Sequence, residues 1–242
     1  MMIGGLDKFS LIDYPDHLAA IVFTQGCNFR CHFCYNPMLV VPFEQDKLND
    51  TNRDKGHPQT IAEDSLFLFL ETRIRKLDAV VISGGEPTLH DDLPEFVKKI
   101  KDMGFKVKLD TNGTRPEIIR GLLERGLLDY VAMDIKANEK KYDLATGTQP
   151  NMNNIKTSID ILKSSEIPHE FRSTIVPGIH KLEDINEMGE LINKADKWYL
   201  QQFQASKDLV NKNFKNVQPF SDDMMKKMLE TASNYTRYCR LR

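Results

Sequence analysis

Apolar positions along this chain alternate between two periods. Short continuous apolar runs at 19–25, 78–83, 105–110, 130–135, 169–176 and 197–203 read as strands. Between them apolar residues recur at helical spacing. The sets are Leu66, Phe67, Phe69, Leu70 and Ile74; Leu93, Phe96, Val97 and Ile100; and Ile118, Ile119, Leu122 and Leu123. They continue with Ile155, Ile159 and Leu162; Leu182, Ile185, Met188, Leu191 and Ile192; and Met224, Met225, Met228 and Leu229. Thr60-Ile61-Ala62-Glu63 has the form of a capping box opening the first helix, and Asp92-Leu93-Pro94-Glu95 opens the second. The third helix starts from Thr114, and Gly104 and Gly126 read as helix stops.

Six strands alternating with helices imply parallel strands joined by crossovers. Six units are too few for a closed eight-stranded barrel. The expected fold is therefore α/β, an open partial (β/α)6 TIM-like barrel, with a flat doubly wound sheet as the alternative. The pattern shows no boundary, so residues 1–242 are expected to form a single domain. Residues 1–18 read as an N-terminal arm anchored by Phe9, Leu11, Ile12 and Tyr14, and residues 43–59 as a polar insertion without periodicity.

Composition narrows the class. Hydrophobic residues at 40% and charged residues at 28% suit a soluble globular chain that buries a core. A formal net charge of −2 points to no general nucleic-acid or membrane-surface binding. No apolar run approaches bilayer length, and residues 1–8 lack the charged and apolar regions of a signal peptide, so a cytoplasmic location is expected. Four cysteines in a long chain, three of them within eight residues, argue for metal or redox chemistry over a disulfide framework.

Those three, Cys27, Cys31 and Cys34, follow the first strand in the spacing C-x3-C-x2-C. Strand ends are where α/β proteins place their chemistry. The other ends carry Gly84-Gly85-Glu86, Asp110-Thr111-Asn112, Asp134 and Lys136, Arg172, and Gln202 and Gln204. Structural zinc asks for four nitrogen or sulfur ligands, and His32 lies between two cysteines on one short turn, a difficult fourth. A 4Fe-4S cluster normally takes four cysteines, so three thiolates leave one iron open to an exchangeable ligand. Zinc, or a cysteine loop without metal, is the alternative.

The loop Cys27-x3-Cys31-x2-Cys34, with Phe33 before its last cysteine, resembles the cluster motif of radical S-adenosylmethionine (SAM) enzymes. Ser83-Gly84-Gly85-Glu86-Pro87 is similar to that family's second-strand motif, where backbone and glutamate take the methionine amino group. Residues 8–15, residues 23–31, Asp110-Thr111-Asn112-Gly113 and Asp134-Ile135-Lys136 resemble the glycyl-radical-enzyme activases. Within these, the chain looks most like the activating proteins of anaerobic ribonucleoside-triphosphate reductase, over about Gly4 to Phe203.

The resemblance implies a radical SAM oxidoreductase with a 4Fe-4S cluster on Cys27, Cys31 and Cys34. It implies reductive cleavage of SAM to a 5′-deoxyadenosyl radical that takes a hydrogen atom from a glycine of a partner enzyme, here anaerobic ribonucleotide reductase. Flavodoxin or ferredoxin would supply the electron. Phe33, Gly84, Gly85, Glu86, Asp110, Asn112, Lys136, Arg172 and Gln204 would line the cofactors, Gln204 at the ribose. Asp110, Thr111, Met133 and Asp134 would hold a monovalent cation beside the SAM carboxylate. No side-chain acid, base or nucleophile is called for.

Two positions depart from the activases: glycine is usual where Asp16 stands, and histidine is frequent where Tyr35 follows the last cysteine. Cys239 lies outside any motif and reads as an incidental thiol. The six histidines read as structural or surface residues and the Met224, Met225, Met228 stripe as core. The rival readings are a radical SAM enzyme acting on a small molecule, such as a deazapurine synthase, and a zinc-binding protein without catalysis.

Overall fold

The computed structural model describes residues 1–40, 60–205 and 209–242. The insertion expected at 43–59 lies outside the described residues. The chain divides into two compact units, the first made of Met1–Asn28 and Asn36–Asp110, the second of Phe29–Tyr35 and Thr111–Arg242.

In the first unit β1 (Ile3–Ser10) pairs antiparallel with β2 (Ala19–Thr24). A one-turn helix α1 (Pro37–Val40) and helix α2 (Glu63–Glu71) follow. Strand β3 (Ala79–Gly84) pairs parallel with β2 in a register that sets Thr24 beside Gly84. Helix α3 (Leu93–Asp102) leads to β4 (Lys106–Thr111), parallel to β3. The centres of β2 and β3 are buried on both faces, which is why they read as unbroken apolar runs. Leu93, Phe96, Val97 and Ile100 form the buried stripe of α3, and Gly104 ends it at φ 92°.

In the second unit α4 (Pro116–Glu124) precedes β5 (Tyr130–Asp134), and short α5 (Tyr142–Thr146) precedes α6 (Met152–Ser164). Then come β6 (His169–Ile175), α7 (Leu182–Leu191), β7 (Ala195–Gln202), α8 (Asp222–Ala232) and β8 (Thr236–Leu241). Strands β5 to β8 are parallel, each paired with the next. Met225 and Met228 are core residues, as the stripe suggested, whereas Met224 is half-buried.

All six expected strands are present. Several local expectations are corrected. The arm is largely the strand β1, and only Tyr14 of its four expected anchors is buried; Phe9, Leu11 and Ile12 are exposed at 54%, 65% and 84%. The capping box does not form: α2 begins at Glu63 behind Ala62, with no side-chain cap. That helix ends at Glu71, so Ile74 is not part of it. The third helix begins at Pro116, because proline is favoured in a first turn and Thr114 is held by Asn112 instead. A strand without an expected counterpart, β8, adds to the far edge of β7. Asp16 adopts φ 62°, the left-handed region that favours glycine. Among the described residues no helix is long and apolar enough to cross a membrane.

Candidate active site

In the first unit, the carboxyl end of β2 runs into Cys27. Backbone bonds fix this exit: Gly26 N–H donates to Leu39 C=O at 2.8 Å, and Cys27 N–H to Val40 C=O at 3.0 Å. The neighbouring Gly84-Gly85-Glu86 turn is tied to the same strand end. Gly85 N–H donates to Thr24 C=O and Glu86 N–H to Gly26 C=O, each at 2.8 Å. A Cβ on Gly84 would fall on the Thr24 backbone, and one on Gly85 on the carbonyl of Gly26. The two glycines thus let two strand-end backbones touch.

Glu86 is 1% exposed, and its carboxylate caps a 3₁₀ turn at Pro87–Leu89. Its Oε1 accepts from Thr88 N–H at 3.1 Å and from Thr88 Oγ at 2.6 Å. Thr88, equally buried, was not legible as a site residue; its signal is the carboxylate two positions before it on a proline turn. At the end of β4, Asp110 Oδ1 lies 2.6 Å from Lys108 Nζ, and Ser83 Oγ donates to Oδ2 at 3.2 Å.

The second unit holds Cys31 and Cys34. Cys34 N–H donates to Cys31 C=O at 3.1 Å, and Phe33 is buried. Short helix α5 clamps this stretch. Arg30 N–H donates to Thr146 C=O at 2.7 Å, Phe29 meets Tyr142 edge-on, and Gly147 at φ 64° leaves room for the Arg30 carbonyl. Burial lifts the Cys31 thiol to about 11, with Lys136 opposing the shift.

At the end of β5, Asp134 takes two cations. Arg172 Nε donates to its Oδ1 at 3.0 Å and Lys136 Nζ to its Oδ2 at 2.9 Å. Burial opposes the charge on Asp134, but Arg172 and Lys136 outweigh it and hold the carboxyl far below the usual range. Lys136 is likewise disfavoured by burial yet held well above its ordinary value by Asp134 and Cys31. Its backbone is set from behind: buried His180 accepts Val176 N–H at Nδ1 and donates from Nε2 to Lys136 C=O, both at 2.9 Å. Buried Asp184 gathers Asn138 Nδ2, Lys141 Nζ and Lys181 N–H, pinning the segment after Lys136 to α7. Sequence reading missed Asn138, Lys141 and Asp184, whose partners are too distant in sequence to signal the contact.

The remaining candidates fall as follows. Asn112 is buried and accepts from Thr114 N–H and Oγ at 3.0 and 2.7 Å. Thr111 Oγ accepts from Gly113 N–H, and buried Met133 packs its thioether on Gly113. Gln204 is exposed, its N–H donating to Tyr35 Oη at 2.8 Å. His32 stacks on Phe214, with ring centroids 5.6 Å apart, and Asn211 N–H donates to its carbonyl, so its ring is engaged with the 211–214 stretch. All four cysteines are free thiols. Among the described residues no three His, Cys, Asp or Glu side chains gather as a metal centre by geometry alone, so the ligand assignment rests on the loop's spacing.

A family profile described as the radical SAM superfamily matches residues 21–194, well over half the chain. The chain belongs to the radical SAM superfamily. A Methanocaldococcus jannaschii protein named "Putative glycyl-radical enzyme activating enzyme" is 33% identical over 97% of this chain and 92% of its own length. The pyruvate formate-lyase-activating enzyme of Staphylococcus epidermidis is 27% identical over 80% of this chain and 76% of its own. The crystal structure of QueE from Escherichia coli superposes with TM-score 0.57 at 16% identity, covering all of this chain and 93% of that one. The fold is accordingly the α/β partial barrel of radical SAM proteins, extended here by β1 and β8.

The cofactors of this superfamily are a 4Fe-4S cluster and SAM. The residues present fit them. Thiols are the donors iron–sulfur clusters take, and the loop offers three with no disulfide among them. Lys136 and Arg172 are oriented cations suited to a carboxylate, and Glu86 a held carboxylate suited to an ammonium.

Proposed function

We propose that this radical SAM enzyme is an activase that installs a glycyl radical on a partner enzyme, anaerobic ribonucleoside-triphosphate reductase. The observation that carries the reading is one chain combining the C-x3-C-x2-C loop with likeness along 97% of its length to a protein named for glycyl-radical enzyme activation. The arm that resembles the reductase activases leaves Phe9, Leu11 and Ile12 exposed, as suits a protein substrate.

In this reading Cys27, Cys31 and Cys34 hold the cluster. When bound, the cluster supplies one electron to SAM, whose cleavage provides the carbon radical that removes a hydrogen atom from the partner's glycine. The chain's own residues bind and orient. Glu86, fixed by Thr88, receives the SAM ammonium beside the Gly84-Gly85 backbone. Lys136 and Arg172, aligned by Asp134, receive the SAM carboxylate. Buried Phe33 and Asn112 exclude water around the reacting groups, and Gln204 offers a polar side chain to the ribose. No residue is asked to move a proton, consistent with a site whose ion pairs hold their charges far from neutral pH. Flavodoxin or ferredoxin as electron donor, and a cytoplasmic setting, belong to the same proposal.

The test is to mix reduced protein and SAM with candidate glycyl-radical enzymes and record electron paramagnetic resonance. A glycyl radical on anaerobic ribonucleotide reductase is the expected outcome. Turnover of a small molecule, with no glycyl radical on any partner, would overturn the activase reading.

A further inference from the structure

Two carboxylates, Asp110 and Asp134, would by resemblance share a monovalent cation. In this chain each of their oxygens already meets a donor. In the first unit Asp110 Oδ1 has Lys108 Nζ at 2.6 Å, and Oδ2 has Ser83 Oγ at 3.2 Å. In the second, Asp134 Oδ1 has Arg172 Nε at 3.0 Å, and Oδ2 has Lys136 Nζ at 2.9 Å. One carboxylate therefore has a cation of its own, and the other has two. The other two expected ligands are also engaged, Thr111 Oγ by Gly113 N–H at 3.1 Å and the Met133 side chain in packing on Gly113. The residues do not fit a free monovalent cation.

Lys108 explains the difference. Its side chain is 2% exposed, between buried Val107 and Leu109 in β4. A buried ammonium is costly unless paired and hydrogen-bonded, so its presence in a strand core calls for a use. Its Nζ donates to Asp110 Oδ1, a hard carboxylate oxygen of the kind that a K⁺ or Na⁺ ion would otherwise coordinate. A tethered ammonium also avoids the loss of translational freedom that a free ion suffers on binding.

We propose that Lys108 is the built-in cation of this site, a positioning residue acting through Asp110, and that SAM binding here is indifferent to K⁺ and Na⁺. This rests on the SAM reading above and departs from the family's cation arrangement. The test measures SAM affinity of the reconstituted protein in K⁺, Na⁺ and tetramethylammonium salts at equal ionic strength, together with the sodium NMR linewidth of the SAM-free protein. Affinities should agree within about twofold, and sodium should show no saturable broadening that K⁺ displaces. Tighter SAM binding in K⁺ or Na⁺ by about fivefold or more, or saturable broadening, would overturn the proposal. In Lys108→Met, SAM affinity should fall about tenfold in tetramethylammonium, and K⁺ should restore part of it; a fall that no cation repairs counts against the proposal. Should that variant fail to fold, Lys108→Arg keeps the charge and should remain cation-independent. If SAM binds in no salt, the SAM reading itself fails, while the sodium linewidth still judges the cation.

Discussion

Cys31 is the buried thiol of the cluster loop, Cys27 and Cys34 being half-buried. Burial lifts it to about 11, yet a metal ligand is a thiolate, so loading iron must expel a proton held more tightly than in a free cysteine. Cys31→Ala should leave the anaerobically reconstituted protein far short of the roughly four irons and four sulfides per chain expected of wild type. A full complement of both in the variant would refute the ligand assignment, and one zinc without iron in wild type would refute the cluster. His180 works at the same scale without touching a cofactor. Burial lowers its pKa from 6.5, against the bond to Lys136 C=O, which opposes the shift. The folded value lies below the unfolded one, so this histidine's contribution to stability is present above about pH 6.5 and is lost as the pH falls below it. The urea midpoint of wild type should drop more steeply between about pH 7 and about pH 5 than that of His180→Gln. Equal slopes would show that His180 carries none of the acid sensitivity.

At the scale of the element, legibility followed burial. The inner strands announced themselves because their residues are apolar in unbroken runs. Among the described residues β8 pairs with β7 alone and β1 meets, besides β2, only an isolated bridge from Ile3 to Ile61, and polar Asp7, Lys8, Arg237 and Arg240 interrupt them, so neither left a strand-like run. The strand-end residues could be read because the chemistry sits in contiguous motifs; Thr88, Asn138, Asp184 and His180 could not, because each works through a contact fixed only by folding. The Gly84-Gly85 turn lies between these cases. Its glycines signal ligand approach in sequence, whereas the structure also shows them required by the backbone of β2 and its exit. Gly85→Ala would drive a Cβ into the Gly26 carbonyl, a backbone atom that no side-chain rotation can move. A loss of about 3 kcal/mol in urea unfolding of the apoprotein is expected, at the upper end for overpacking. A loss no larger than an exposed substitution gives, about 0.5 kcal/mol or less, would show that the two strand ends are not locked together.

Within each unit, the candidate site residues lie at carboxyl ends of parallel strands, and separate polar contacts tie the amino ends. In the first, Leu18 N–H is held by Asp78 at 2.9 Å before β2 and β3, and the Gly84 turn and Asp110 lie at carboxyl ends. In the second, Asp134 closes β5, whereas Glu170, the second residue of β6, is fully buried in a network that runs from the amino ends of β5 and β6 to the carboxyl end of β8. Arg242 grips it with two bonds, of 2.9 and 3.2 Å, Tyr130 Oη donates to it at 2.9 Å, and the guanidinium lies 3.6 Å over the Tyr199 ring. Arg242 N–H also reaches Leu200 C=O, so a single side chain and its backbone join β6, β7 and the end of β8. Arg242→Ala leaves a buried carboxylate without its cation and should cost about 3 kcal/mol. Adding Glu170→Leu should recover much of that loss, because the stranded charge disappears with it. SAM affinity, set by residues outside this network, should be unchanged in every variant that folds. Thermal unfolding together with SAM binding reads both quantities in the same samples. A loss of SAM affinity that tracks the loss of stability would show that the network and the site are coupled.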